Sequence, residues 1–208
     1  MGECIMPEKG IFAEVLSGGI IVKGDIVRVA YPGQNTPPRA AVLVLSDKGA
    51  AGLRKDQSGP VAAQLLARQG YEVAETVVIP DDKDRIKEEL IRLSDVRAVD
   101  LIITSGGTGF SPRDNTPEAT LEVAHKNAPG IAEYIRLKSM AVTDRAMLSR
   151  GVSVIRGSTL IVNLPGSPKA VRECLGFLLK PLGHGIDILR GSAGECALDR
   201  EDKKQHED

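Results

Sequence analysis

The sequence predicts an α/β fold, namely a three-layer αβα domain with a mostly parallel central sheet and a short N-terminal β extension. Short apolar runs alternate with amphipathic helical patterns, which is the order that a doubly wound sheet requires. The run LIIT at residues 101–104 is bounded by Ser-Gly-Gly and is typical of a strand buried on both faces. A glycine-rich loop and a helix start follow this run, so the sequence predicts a ligand-binding α/β domain.

The elements of this domain can be placed in order from their hydrophobic periodicity. The predicted strands are residues 40–46, 71–79 and 101–104, followed by a β pair at 152–156 and 160–164. The predicted helices are residues 58–69, 82–96, 117–125, 131–141 and 168–189. Ser58 is the predicted N-cap of the first helix, Pro60 lies in its first turn and Gly70 ends it. Strand and helix therefore alternate through two βαβ units.

The 208 residues divide into four predicted segments. Residues 1–31 alternate short β-type runs with Ser-Gly-Gly and Lys-Gly-Asp turns, which predicts a small β meander. Residues 32–39 are rich in proline and form the predicted linker. Residues 40–191 hold the main domain, which is long enough for a complete core. Residues 192–208 are mostly polar and form a predicted solvated tail.

The composition favours a cytoplasmic protein without a nucleic-acid or membrane partner. The 27 basic and 28 acidic residues give a formal charge of −1, so no global field favours an anionic polymer or surface. No apolar run approaches the roughly 20 residues of a spanning helix, and no signal-type segment opens the chain. Cys4, Cys174 and Cys196 lack metal-site spacing, as do His125 and His184, so reduced thiols without a zinc site are expected.

The loop SGGTG that follows the strand at residues 101–104 predicts an anion site. Gly106, Gly107 and Gly109 carry no Cβ and can adopt positive φ, which would turn successive backbone N–H groups toward an anion. Ser105 and Thr108 lie beside them, and phosphate is the expected guest. An ordinary turn would also use glycines here. The loop lacks the lysine of a P-loop and the spacing of a dinucleotide-binding loop.

The start of the next helix is expected to add to this site. Asn115 or Thr116 is the predicted N-cap, Pro117 suits the first turn, and Glu118 favours the positive end of the helix dipole. Because backbone N–H groups are free at a helix N-terminus, the same end of the helix can attract an anion.

Charged residues near the loop indicate phosphoryl chemistry. Arg113 offers a cation for phosphate, and Asp114 offers an oxygen ligand for Mg²⁺. Asp81 and Asp82 follow the second strand and therefore stand at the same edge of the sheet. One of them is expected to cap the helix that begins near Lys83, and Asp82 can do so while Asp81 faces Asp114. Magnesium on two aspartates would neutralise triphosphate oxygens and support displacement of pyrophosphate.

A second loop follows a strand at residues 163–169. Gly166 allows close backbone approach, while Ser167 and Lys169 supply donors for a phosphate or a pterin edge. An ordinary strand-to-helix turn, with Ser167 capping the next helix, would explain the same residues.

Several spaced motifs, taken together, resemble the MogA/MoaB-type molybdopterin-binding proteins. The resemblance covers about residues 39–191. Its two main strings are TSGGTG at 104–109 and PRDNTPEAT at 112–120. The others are VLVLSDK at 42–48, DQSGP at 56–60, VIPDD at 78–82, PGIAE at 129–133, MLSR at 147–150 and NLPGSPKA at 163–170. Residues 1–31 include a stretch that resembles the end of a MOSC domain, interpreted as a remnant that covers a sheet edge or contacts a neighbouring subunit.

The resemblance implies roles for individual residues. The family's paired acidic positions fall on Asp81 and Asp114, which are therefore the expected catalytic and magnesium-binding residues. Ser149 and Arg150 match the string MLSR, and Glu133 matches the acidic residue of PGIAE, although exposed helical positions would explain all three. The family positions that line the substrate pocket fall on Asn163, Pro165, Gly166 and Ser167.

The activity implied by the resemblance is Mg-ATP-dependent adenylylation of molybdopterin, which gives adenylyl-molybdopterin and pyrophosphate in molybdenum cofactor biosynthesis. The resemblance also implies a homotrimer, or a hexamer built from trimers, and other cofactor-assembly proteins as partners. A non-catalytic molybdopterin carrier or an assembly scaffold is the alternative.

Overall fold

The computed structural model of this chain describes residues 36–191. The predicted N-terminal β extension with its MOSC-like stretch, most of the predicted linker and the polar tail lie outside the described residues. Among the described residues, no helix is both long enough and apolar enough to cross a membrane.

A six-stranded sheet in the order β2-β1-β3-β6-β5-β4 organises the domain. Strands β1, β2, β3 and β6 are parallel to one another, while β5 runs antiparallel to β6, and β4 antiparallel to β5. The sheet is therefore mostly parallel, as predicted. The strands are β1 Arg39–Leu45, β2 Glu72–Ile79, β3 Leu101–Ser105, β4 Lys126–Asn127, β5 Ser153–Arg156 and β6 Thr159–Leu164.

Six α-helices connect or flank these strands. They are α1 Asp47–Ala50, α2 Ser58–Arg68, α3 Lys83–Ile91, α4 Thr116–Glu122, α5 Pro129–Met140 and α6 Pro168–Leu189. A π-helical turn extends α3 over Arg92–Val96, and a 3₁₀ turn occupies Asp144–Leu148. The sequence did not predict α1, β4 or the 3₁₀ turn, because elements of two to five residues are too short to show a hydrophobic period.

The central strands β1, β3 and β6 are buried on both faces, which confirms the three-layer arrangement. Val42 and Ile103 pack into a core beneath α2 and α6, whereas their chain neighbours Leu43 and Ile102 pack into a second core beneath α3 and α4. All four side chains have no exposed surface. Because successive residues of a strand point to opposite faces, continuous apolar runs are what a sheet between two helical layers requires.

The order of the strands also indicates where a ligand crevice is expected. Helix α2, which leads from β1 to β2, contributes to one core, and α3, which leads from β2 to β3, contributes to the other. These two connecting helices therefore lie on opposite faces of the sheet, and β1 stands between β2 and β3. In open α/β sheets ligands bind outside the carboxyl ends of the strands at such a switch point.

The start of α2 differs from the prediction. Gln57, not Ser58, occupies the N-cap position, and its side chain makes no capping bond. The carboxylate of Asp56 instead accepts hydrogen bonds from the backbone N–H and hydroxyl of Ser58, and from the N–H of Gly59. A charged carboxylate satisfies several free N–H groups at once, so it replaces a serine cap. The predicted end is confirmed, since Gly70 has a φ of 90° just after the helix.

Candidate functional site

Four loops meet at the carboxyl ends of the parallel strands. Backbone hydrogen bonds tie them together: the Ser46 N–H donates to Ile79 O at 2.9 Å, and the Gly106 N–H donates to Leu164 O at 3.1 Å. A Cβ placed on Gly166 would lie 3.2 Å from the Gly106 Cα, so the loops after β3 and β6 are in close contact. The expected site residues therefore come from segments far apart in the sequence.

The glycine loop after β3 needs glycine at two positions. Gly106 and Gly107 have φ values of 112° and 62°, which side chains rarely adopt. A Cβ on Gly106 would lie 2.4 Å from Leu45 O, and one on Gly107 would lie 2.2 Å from the Thr116 Oγ1. Gly109 does not have positive φ; there a Cβ would approach an Asp114 carboxylate oxygen at 2.8 Å.

The beginning of α4 is held by a different contact from the one predicted. Asn115 occupies the N-cap position, but its side chain makes no capping bond and donates instead to Arg113 O. The Thr116 hydroxyl donates to Gly106 O at 3.0 Å, which ties the helix back to the glycine loop. The prediction of a side-chain cap is therefore wrong, because both candidates bind loop carbonyl groups. The position of Pro117 in the first turn is confirmed.

The two acidic residues after β2 have separate roles. Asp82 is the N-cap of α3, and its carboxylate accepts from the Arg85 N–H at 3.0 Å. Asp81 is thus not needed for capping, and one of its oxygens would lie 3.2 Å from a Cβ on Gly107. Asp81 therefore stands against the glycine loop.

Asp114 lies against the same loop, next to Gly109. Its Oδ2 accepts from the Ser111 N–H at 2.9 Å, and its own N–H donates to Ser111 O at 2.9 Å, which closes a tight turn. No cluster of three or more acidic, histidine or cysteine side chains within residues 36–191 forms a ready metal site. A pair of carboxylates still fits Mg²⁺, which is usually bound by one or two carboxylates together with substrate phosphate oxygens.

The surroundings of Asp81 disfavour its charged form. Burial raises the pKa of the Asp81 carboxyl, and the negative charges of Asp47 and Asp114 raise this pKa further. A hydrogen bond from the Asp47 N–H and the positive charge of Arg113 act in the opposite direction. A cation bound beside Asp81 would offset the burial and the neighbouring negative charges that disfavour its ionised form.

We expect the change Asp81→Asn to stabilise the protein in the absence of ligands at neutral pH. Because the pKa of Asp81 is raised on folding, the stability linked to it is complete below the ordinary value of 3.8 and is lost as the pH rises through the folded value. A neutral amide avoids that loss. The melting temperature of the variant should therefore exceed that of the wild type at pH 7, and the difference should disappear near pH 3.

Asp82→Asn is the matched control, since asparagine caps a helix as well as aspartate does. This variant should melt with the wild type at pH 7. Equal melting temperatures for Asp81→Asn and the wild type across the whole pH range would contradict the expectation.

Arg113 is paired with a residue that the sequence analysis did not select. Its Nη2 lies 2.7 Å and 2.8 Å from the two carboxylate oxygens of Asp47, and its Nε lies 3.2 Å from one of them. This contact lowers the pKa of Asp47 and raises that of Arg113. Asp47 lies just after the end of β1 and directly follows Ser46, the N-cap of α1. Asp81 lies just after the end of β2 in the same way. The position at a strand end was therefore the signal that could have identified Asp47.

Arg150 holds the glycine loop from the side of the antiparallel strands. Its guanidinium donates to Gly109 O at 2.7 Å and to Asp114 O at 2.5 Å, and it forms an ion pair with Glu118. Its backbone N–H donates to Thr108 O at 2.9 Å. The alternative of an exposed helical residue is wrong for Arg150, which lies outside the helices. Glu118 binds this cation, whereas the sequence analysis related it only to the helix dipole.

Ser149 and Glu133 lie in less specific surroundings. The Ser149 hydroxyl accepts a long hydrogen bond from the Gly151 N–H at 3.4 Å. Glu133 lies on α5, which packs mainly on α6, β5 and the 3₁₀ turn, and its side chain is exposed. This placement favours the solvated helical face that the sequence left as the alternative for Glu133.

Asn163 is fully engaged inside the domain. Its amide nitrogen donates to the hydroxyls of Thr104 and Thr120, each at 3.0 Å, and its amide oxygen accepts from the Val152 N–H at 3.2 Å. Only 2% of its surface is exposed. This geometry assigns Asn163 the task of fixing the strand ends of β3 and β6, and leaves ligand contact to the loop that follows.

The loop after β6 stays accessible. The Ser105 hydroxyl donates to Pro165 O at 3.3 Å, which joins the two glycine-containing loops. The Ser167 hydroxyl accepts from the Ala170 N–H at 3.1 Å, so the predicted capping of α6 by Ser167 is confirmed. Lys169 extends into solvent and lies 3.8 Å from Glu173.

Two polar cavities adjoin these loops. A cavity of about 520 Å³ opens between the start of α2 and the loop after β6, and its lining includes Arg54, Lys55, Ser58, Gly166 and Ser167. A second cavity of about 480 Å³ lies between the glycine loop and the start of α4, and its lining includes Phe110, Ser111, Asp114, Asn115 and Arg150. The arrangement offers space for polar ligands beside the loop after β6 and beside Asp114.

Comparisons with known proteins identify the family. A family model described as "Probable molybdopterin binding domain" matches residues 41–184. The chain is 37% identical over 153 residues to the molybdopterin adenylyltransferase of Helicobacter pylori, covering 73% of this chain and 87% of that protein. It is 45% identical over 152 residues to the molybdenum cofactor synthesis protein cinnamon of Drosophila melanogaster, covering 71% of this chain but only 25% of that protein.

A solved structure agrees with the sequence comparisons. The molybdopterin biosynthesis enzyme MoaB of Thermus thermophilus superimposes with a TM-score of 0.70 at 45% identity, and the match covers 74% of this chain and 96% of that one. The chain therefore belongs to the molybdopterin-binding domain family of the MogA/MoaB type.

Proposed function

We propose that this chain is a molybdopterin adenylyltransferase in molybdenum cofactor biosynthesis. In the proposed reaction, a terminal phosphate oxygen of molybdopterin attacks the α-phosphorus of ATP. A phosphorus–oxygen bond forms, the bond to the β-phosphate breaks, and pyrophosphate leaves. The observation that carries the proposal is that the carboxylates of Asp81 and Asp114 both lie against the glycine loop, at Gly107 and Gly109. The similarity to an enzyme with this activity supports it.

The acidic pair is the proposed magnesium site. Asp81 and Asp114 would hold Mg²⁺ together with oxygens of the nucleotide, and the metal would supply charge neutralisation at the triphosphate. Manganese has a similar preference for oxygen ligands. Asp81 is suited to this role because burial and the neighbouring carboxylates disfavour an isolated negative charge there. Asp114 is suited to it because the turn with Ser111 fixes its position.

The remaining groups of the site bind and orient phosphate. Gly106 and Gly107 allow the loop backbone to approach a phosphate closely, and Arg113 offers a guanidinium at the same edge. Ser105, Thr108 and Gly109 complete this loop. An ionised phosphate needs no strong general base, so we attribute catalysis to alignment and charge neutralisation.

The cavity beside the loop after β6 is the proposed molybdopterin pocket. Pro165, Gly166 and Ser167 form one side of it or lead into it, and Lys169 lies at the next exposed position. Arg54 and Lys55 line the opposite side and add positive charge, which favours a phosphorylated ligand. Ser149, Arg150 and Asn163 act in our proposal by holding the adjoining loops, and Glu133 has no direct role.

We further propose that the protein assembles in the cytoplasm, where ATP is available, as a homotrimer or as a hexamer built from two trimers. Exposed apolar side chains on α5, on the 3₁₀ turn and on the segment that joins them support an interface between copies of the chain. They are Leu137, Met140, Val142, Met147 and Leu148. Sedimentation or light scattering should give a mass of three or six chains of 22.1 kDa, and a monomeric mass would contradict the proposed assembly. Other cofactor-assembly proteins are the further partners that we propose.

Anaerobic incubation of the purified protein with molybdopterin and Mg-ATP tests the proposed reaction. We expect adenylyl-molybdopterin and pyrophosphate to form in equal amounts. Tight molybdopterin binding without product would support the alternative, a non-catalytic carrier or assembly scaffold. The paired carboxylates favour the enzyme, because a carrier has no need of a magnesium site beside its ligand.

A further inference from the structure

Asp47 links three of the loops that form the site. It is the first residue of α1, directly after β1 and the capping residue Ser46. Its N–H donates to the Asp81 Oδ2 at 3.2 Å, while the Asp81 N–H donates to the Asp47 Oδ1 at 3.0 Å. The two residues therefore exchange backbone and carboxylate hydrogen bonds in both directions. This reciprocal pair fixes the ends of β1 and β2 against each other.

The same carboxylate of Asp47 also binds the loop after β3. Arg113 contacts both of its oxygens within 2.8 Å through one nitrogen, although the two residues are 66 positions apart in the chain. The side chains of Asp47 and Arg113 are 46% and 62% exposed, so their attraction contributes little to overall stability. The value of the contact therefore lies in where it places Asp81 and Arg113.

A role as a third metal ligand does not fit Asp47. Both of its oxygens are already engaged by Arg113, and one also accepts from the Asp81 N–H. The described part of the chain also contains no cluster of three acidic side chains arranged around a metal position. Partners that orient a metal-binding carboxylate without touching the metal commonly alter metal affinity or activity by about 10–100-fold when they are removed.

We infer that Asp47 is a positioning residue, whose carboxylate fixes the backbone of Asp81 at the proposed metal site and holds Arg113 at the phosphate position. This inference rests on the function proposed above. It predicts that Asp47→Ala lowers turnover about tenfold or more and weakens metal binding by a similar factor. Asp47→Asn keeps an oxygen for the Asp81 N–H but loses the charge that binds Arg113. This conservative variant should therefore recover most of the metal affinity but only part of the turnover.

The chain offers a closely matched control in Asp95. Asp95 forms the same kind of two-pronged contact with Arg156, with Nε and Nη2 at 3.0 Å and 2.5 Å from its oxygens. Its side chain is 44% exposed, against 46% for Asp47. Arg156 is the last residue of β5 and pairs with the first residue of β6. The pair with Asp95 therefore lies at the amino ends of the parallel strands, whereas the site lies at their carboxyl ends. Asp95→Ala should leave turnover and metal binding within about twofold of the wild type.

The experiment combines two readouts on the full chain. Binding of Mn²⁺ is measured by electron paramagnetic resonance in the presence of α,β-methylene-ATP, and turnover is measured as adenylyl-molybdopterin formed. We expect both to fall in Asp47→Ala and neither to fall in Asp95→Ala. Equal behaviour of these two variants would overturn the inference about Asp47.

The outcome for the wild type separates this inference from the proposed function. A wild type that binds Mn²⁺ but forms no product would refute the adenylyltransferase, while weaker Mn²⁺ binding in Asp47→Ala would still support the positioning role. A wild type that binds no Mn²⁺ would overturn the positioning role, whatever its activity.

Discussion

Replacing Asp114 with asparagine is expected to reduce turnover by about 100–1000-fold, which corresponds to the loss of several kcal/mol of transition-state stabilisation by a metal site. The amide keeps an oxygen that can accept from the Ser111 N–H, so the turn that places residue 114 should persist. The free energy of unfolding should change by less than about 0.5 kcal/mol, and molybdopterin affinity should remain near that of the wild type. Steady-state product formation and urea unfolding measure these quantities.

Asp84→Asn is the control for that experiment. Asp84 lies in the first turn of α3, its side chain is 83% exposed, and it pairs with Lys87 on the same helix. Its replacement removes one negative charge without touching the strand-end loops, so turnover should be unchanged. Wild-type turnover in Asp114→Asn would remove Asp114 from the mechanism, and a large loss of stability would mean that the effect is structural.

Replacing Gly106 with alanine is expected to destabilise the protein by about 2–5 kcal/mol, because two penalties combine. The backbone has a φ of 112°, which an alanine rarely adopts, and the new methyl group would lie 2.4 Å from Leu45 O. That oxygen belongs to the end of β1, which is buried and paired on both sides, so it cannot move away cheaply. Urea unfolding measures the loss, and turnover should fall with it because the loop must shift.

Gly70→Ala isolates the backbone contribution. Gly70 has a φ of 90°, yet no atom lies within 4 Å of the position that its Cβ would occupy. This variant should cost about 1–3 kcal/mol from backbone strain alone. If Gly106→Ala were no more destabilising than Gly70→Ala, the close approach of the glycine loop to β1 would carry no energetic weight.

Much of the fold could be predicted because burial on both faces leaves a clear pattern in the sequence. Residues 101–104 are apolar on both sides, and the structure places Ile102 and Ile103 in different cores. The separate roles of Asp81 and Asp82 were also foreseeable in part, since a helix needs a cap and only one of the two residues can provide it. The structure confirms the cap at Asp82. The metal-binding role of Asp81 stays a prediction.

Contacts between distant segments could not be predicted in the same way. Nothing in the string VLVLSDK reveals that Asp47 meets Arg113, since that contact exists only after β1 and β3 pair. The sequence likewise shows Asn163 beside a strand end but not the two threonine hydroxyls that use its amide inside the domain. The predicted N-cap of α2 was wrong for a local reason, because the carboxylate of Asp56 takes the N–H groups that a serine cap would bind.

The clamp formed by Arg150 has a consequence for local unfolding. Arg150 lies three residues before the start of β5, and it holds the carbonyl groups of Thr108, Gly109 and Asp114. The loop on the parallel side of the sheet is thereby attached to the short antiparallel side, where β4 has only two residues. Fraying that begins at this weak edge can therefore reach the glycine loop without disturbing the buried strands. Firm pairing of the edge strands therefore helps to keep the glycine loop in place.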